Sequence, residues 1–199
     1  MKKLGILAIV LSLLVMPAAA LADEIADQIK QALKLYEDGK ISAALEELNF
    51  ASAQLRQKKA ESLAAVFPKA PEGFTAGKPT SESSGAAMLG AVTATQVYRK
   101  AGGGSAEIQV MTDSPLLQSM AMMMSNPMFL QSGRNGKLIR LAGHKAILKS
   151  RSDQRAELQA VVGSKVLVQI KVRGVAGAAE LAKQLFQALD IAKLKELTM

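Results

Sequence analysis

Five methionines fall between residues 120 and 128: Met120, Met122, Met123, Met124 and Met128. Thioether sulfur is a soft ligand that suits Cu(I), so Met120, Met123, Met124 and Met128 are the metal candidates in a chain with no cysteine. The same spacing also serves packing. Leu116, Met120, Met123 and Pro127 share one helical stripe, as do Leu117, Met120 and Met124, and methionine fills irregular apolar gaps well. A third reading makes this helix a lid over a pocket, with Leu116, Met120, Met123 and Met124 offered to an apolar ligand or a protein partner.

Other chemistry is thinly represented. The single histidine, His144, sits beside a glycine and has no thiol partner, and one imidazole cannot supply a zinc site. Carboxylates after residue 91 are dispersed: Glu107, Asp113, Asp153, Glu157, Glu180, Asp190 and Glu196. None is spaced to force a pair onto one helix face for acid–base work. Gly102-Gly103-Gly104-Ser105 lacks the Gly-Lys-Ser/Thr of a phosphate loop and leads toward a strand. No catalytic residue, cofactor site or enzymatic activity is expected. Two tyrosines give no stacking platform for nucleic acid.

The elements that must position these residues centre on Arg155–Arg173. Ala156, Leu158, Ala160 and Val162 alternate with Glu157, Gln159 and Val161. The alternation resumes after Gly163-Ser164 as Val166, Val168, Ile170 and Val172. Period 2 gives a hairpin with one apolar face, and the Gly-Ser pair predicts a two-residue turn. Upstream, Ala91–Lys100 and Ala106–Met111 read as another hairpin around the triple glycine. Ser114-Pro115 opens a helix that runs from Leu116 to about Ser125. Two short strands, Lys137–Leu141 and Lys145–Lys149, and a closing helix through Leu181, Leu185, Phe186 and Leu189 complete the order. Strands three to six are close enough in sequence for a meander.

Ile25, Ile29, Leu33 and Tyr36 recur at helical spacing up to Gly39. A second helical pattern runs from Ile41 to about Phe67. Within it Leu35, Gly39, Ile41, Ala44, Leu48 and Ala51 resemble the second part of a tetratricopeptide repeat. That resemblance implies a single helical hairpin, because one repeat cannot build a solenoid. The stretch from His144 to Leu197 resembles the end of Mog1/PsbP-like domains. The whole arrangement, with Ser114-Pro115-Leu116-Leu117 and Ser125-Asn126-Pro127-Met128, looks like a family of exported bacterial proteins of unknown function. Neither resemblance carries a site.

The expected class is α+β: an N-terminal helical hairpin, then an antiparallel sheet of about six strands covered by the methionine-rich helix and a C-terminal helix. The expected divisions are a signal peptide at 1–22, a helical hairpin at 23–67, a Pro/Gly/Ser-rich linker at 68–90 and a sheet domain at 91–199. Lys2-Lys3, the apolar run Leu4–Met16 and Ala20-Leu21-Ala22 carry the secretory pattern, and no other stretch is apolar over the ~20 residues of a membrane span. Removing Lys2 and Lys3 takes the formal charge from +8 to +6. Residues 23–90 hold 8 basic and 10 acidic side chains, and 91–199 hold 15 and 7. Such a basic sheet domain can favour polyanions or anionic lipid, or serve solubility. The chain therefore reads as an exported, periplasmic, non-enzymatic module for a protein partner of the cell envelope, or alternatively as a carrier of a small apolar ligand or Cu(I).

Overall fold

The computed structural model describes residues 19–83, 91–114, 116–125 and 136–198. The expected leader, apart from residues 19–22, lies outside them, as do Pro115, Pro127 and Met128. The chain forms two compact units, residues 1–52 and 53–199.

In the first unit, helix α1 (Ala19–Glu37) ends at Gly39, whose φ of 74° only glycine adopts without strain, and α2 (Ile41–Leu63) follows at once. Gln28 and Gln31 donate to the Glu47 carboxylate at 2.8 and 3.3 Å, tying α1 to the first half of α2. The buried positions are Ile25, Ala32, Ala44 and Ala51. The larger members of the apolar stripes face outward: Leu33 is 57% exposed, Tyr36 64% and Leu45 55%.

The second unit begins inside α2. Ala60 and Leu63, with Val66 from the 3₁₀ turn Ala64–Val66, are buried in the core of the sheet. This differs from the expected boundary near residue 67, and the cause is packing. Past Ser52, Leu55 stays exposed, but Ala60 and Leu63 have sheet side chains to bury against, so the last turns of α2 belong to the sheet unit.

Among the described residues the sheet has eight strands: β1 (Phe74–Ala76), β2 (Thr80–Ser83), β3 (Val92–Lys100), β4 (Ser105–Thr112), β5 (Lys137–Leu141), β6 (His144–Ser152), β7 (Arg155–Val162) and β8 (Val166–Arg173). All pairings are antiparallel, in the order β1-β3-β4-β8-β7-β6-β5, with β2 also on β3. β1 and β2 arise within the expected linker. They pair end to end along the outer side of β3, where Gln96 donates to the Gly77 carbonyl between them at 2.8 Å. β1 is Phe74-Thr75-Ala76, with Phe74 packed against the core, whereas β2, Thr80-Ser81-Glu82-Ser83, has no apolar alternation. The ladder to β3 makes β2 a strand, not a buried face of its own.

The β7–β8 register is the one the alternation predicts. Ala160 faces Val168, Leu158 faces Ile170 and Ala156 faces Val172, all on the buried face. The connection is one residue longer than expected: Val162 pairs with Val166 across Gly163-Ser164-Lys165. Helix α4 (Ala178–Gln187) lays Ala178, Ala182, Leu185 and Phe186 on this inner face. The expected single closing helix is in fact two. Asp190 accepts from the Lys193 N–H at 2.9 Å and starts α5 (Ile191–Glu196), which buries Leu194.

Candidate functional site: the outer face of the sheet

The opposite face carries the methionine helix. Ser114 caps it, its hydroxyl accepting from the Leu116 N–H at 3.3 Å, and α3 runs from Leu116 to Ser125. Met120 and Met124 are buried with Ile147 of β6 and Leu167 of β8, and Leu117, Met123, Met111 and Val161 pack against them. Leu116 is half exposed, and Met122 turns to solvent at 68%. The structure thus brings Met120, Met123 and Met124 onto one apolar patch, as their i, i+3, i+4 spacing implies. It adds Met111, which the sequence reading missed; its outward position in β4 was the available signal. Met128 lies outside the described residues.

The approach to α3 is held by charge. Lys59 Nζ lies 2.7 Å from Asp113 Oδ2, and the Thr112 hydroxyl donates to the same oxygen at 3.0 Å. Partial burial pushes the Asp113 carboxyl up, but the Lys59 and Thr112 hydrogen bonds and the charges of Lys59 and Lys165 outweigh it, holding the group below the usual carboxylate range. Asp113 has φ of 56°, a left-handed geometry that Asp tolerates better than most side chains.

Beyond α3 the outer face is polar and arranged in cross-strand rows. Gln109, Gln169 and Gln159 form one row. The next alternates in charge: Glu107, Lys171, Glu157 and Lys149 on β4, β8, β7 and β6. Lys171 Nζ lies 3.5 Å from Glu107, and Glu157 Oε1 accepts from Gln159 and Gln169 at 2.7 and 2.6 Å. The third row holds Ser105, Arg173 and Arg155. These residues were individually visible as a basic excess, but only the register gathers them.

His144 is not on this face. Its ring meets Phe186 edge-on at 6.4 Å, and burial, then the Lys195 charge, lowers its pKa and favours the neutral imidazole. Among the described residues, no three His, Cys, Asp or Glu side chains converge to hold a metal ion. No helix among them is long and apolar enough to cross a membrane. Comparison of the chain with protein-family models, with curated proteins and with solved structures finds no match.

Proposed function

We propose that the chain is an exported, periplasmic, non-enzymatic interaction module whose contact surface is the outward side of its helical hairpin. The observation that carries this reading is the inversion of size across the two helices. Alanines fill the inner positions, while Ile29, Leu33 and Tyr36 on α1 and Ile41, Leu45 and Leu48 on α2 are exposed at i, i+4, i+7 spacing. An apolar surface of this kind marks a contact site. Its resemblance to one tetratricopeptide unit fits the same idea, since such a unit buries its outer face only against a neighbour. The occupant is a cell-envelope protein presenting an amphipathic helix of its own. The non-enzymatic part of the reading is supported by the dispersal of acid–base groups, with His144 against Phe186 and Glu157 held by two glutamine amides.

A photo-crosslinking residue at Leu33, in the protein as the cell exports it, tests this. A discrete heterologous adduct, lost when Leu45→Glu is added, is the expected result. No adduct, or one between two copies of the chain, would refute an envelope partner at this surface. Met111 joining the cluster of α3 favours a second reading, a carrier of a small apolar ligand or Cu(I), because it raises the thioethers gathered on one patch to four: Met111, Met120, Met123 and Met124.

A further inference from the structure

We infer that the end of the outer sheet face formed by β6, β7 and β8 is a binding site for a phosphoryl group, with Arg155 and Arg173 as its principal ligands and Arg151 and Lys171 beside them. The argument starts from register. Arg155 and Arg173 are directly opposed on neighbouring strands, and both project from the outer face with Glu157 and Lys171. Like charges placed directly across a sheet repel. The adjoining row avoids that arrangement by alternating Glu107, Lys171, Glu157 and Lys149. The row that holds the two arginines runs on through Ser105 to Arg99 of β3 and, on the other side, to Ser152 of β6, and contains no acid.

Of the nearby carboxylates, Glu157 borders the hollow with one oxygen occupied, and Asp153 is turned away from it. Glu157 Oε1 takes both glutamine amides. Asp153, in the β6–β7 turn, accepts from the Gly177 N–H at 3.2 Å, at the entrance to α4 on the inner side. Among the described residues, no side-chain hydrogen bond or ion pair engages Arg151, Arg155 or Arg173. The register shift between Ser150 and Ser152 is a bulge, a device that re-aims a side chain, and Arg151 sits in it.

These side chains surround a hollow of about 200 Å³ lined by Arg151, Arg155, Glu157, Lys171 and Arg173. A single water needs only about 10–15 Å³ by the same measure, so the space admits a tetrahedral oxyanion with a small substituent. Planar guanidinium groups offer paired N–H donors that match phosphate oxygens, and a dianion between Arg155 and Arg173 turns their repulsion into two attractions.

Calorimetric titration of the purified full chain with inorganic phosphate at low salt tests the site. The expected result is saturable 1:1 binding, weakened roughly tenfold or more by Arg155→Gln and by Arg173→Gln. Lys193→Gln, the same change in net charge on exposed α5, leaves it intact. Without phosphate, both arginine variants should melt at or above the parent temperature, since each removes half of a repelling pair. Sedimentation with phosphatidylglycerol-containing vesicles separates the sources. Association that phosphate competes away and that the arginine variants lose identifies a lipid headgroup. Phosphate binding without vesicle association identifies a soluble phosphorylated compound. The inference is overturned if phosphate does not bind saturably, if Lys193→Gln weakens it as much as the arginine variants, or if those variants bind like the parent or melt below it.

Discussion

The phenol of Tyr98, on the inner face of β3, donates a 2.7 Å hydrogen bond to the backbone carbonyl of Pro68. Tyr98 is fully buried, and the bond ties the chain leaving the 3₁₀ turn to β3, where Phe67 and Ala70 also pack against the core. Burial pushes its pKa from 10.0 up to about 12, because the phenolate would lose its hydration.

Tyr98→Phe should destabilise the protein by about 1–2 kcal/mol, the usual cost when a buried acceptor loses its donor. The raised pKa also sets a pH dependence. A group that holds its proton more tightly when folded contributes stability that is whole below its unfolded pKa. That contribution is then lost as pH rises toward the folded value. Denaturation midpoints of the parent should therefore fall between pH 10 and about 12, and those of Tyr98→Phe should fall less. Parallel midpoints across that range would count against the assignment.

Residues 53–199 should fold alone with a single cooperative transition, whereas 91–199 should be severely destabilised or unfolded. The shorter piece loses Ala60, Leu63 and Val66 from the core, along with β1 and β2. Burying Leu63 and Val66 alone is worth about 1.5–3 kcal/mol each, a large share of a small domain's stability. Urea unfolding followed by circular dichroism compares the two, and equal midpoints would mean that the end of α2 is dispensable.

Replacing Met120, Met123 and Met124 together by Leu should preserve the fold at a cost under ~1.5 kcal/mol per buried site, since volume is nearly conserved. The parent protein should show no tight Cu(I) binding in an anaerobic competition titration. Stoichiometric Cu(I) uptake by the parent, abolished in the triple variant at unchanged melting temperature, would move the carrier reading ahead of the interaction module.

What could be read in advance was whatever depends on local period. The β7–β8 faces follow from strict alternation over Ala156–Val172, the β5–β8 meander from short connections, and the direction of Met120 and Met124 from helical spacing. What depends on distant pairing could not be read. The placement of β4 beside β8 joins two strands more than fifty residues apart in the chain. β2 is a strand by virtue of β3 and not of its own pattern. The stripes on α1 and α2 showed where the helices are but not what lies against them: periodicity shows that a face is apolar, and Leu33 and Leu45 are left outward. The outer row is a mixed case: Arg155 and Arg173 meet through the local β7–β8 hairpin, whereas Ser105 joins them only through the distant β4–β8 pairing.

The two borders of the sheet have a consequence for how this chain survives in company. One border is split into strands of three and four residues, with Gly77-Lys78-Pro79 between them, and proline offers no N–H to an incoming strand. The other is β5, five residues long, with Lys137 and Arg140 exposed along it. Short, interrupted or cationic borders are poor templates for a further strand. The β-branched interior of Val166–Val172 is thereby kept from recruiting its like, so a second molecule meeting this sheet edge-on finds no ladder to extend.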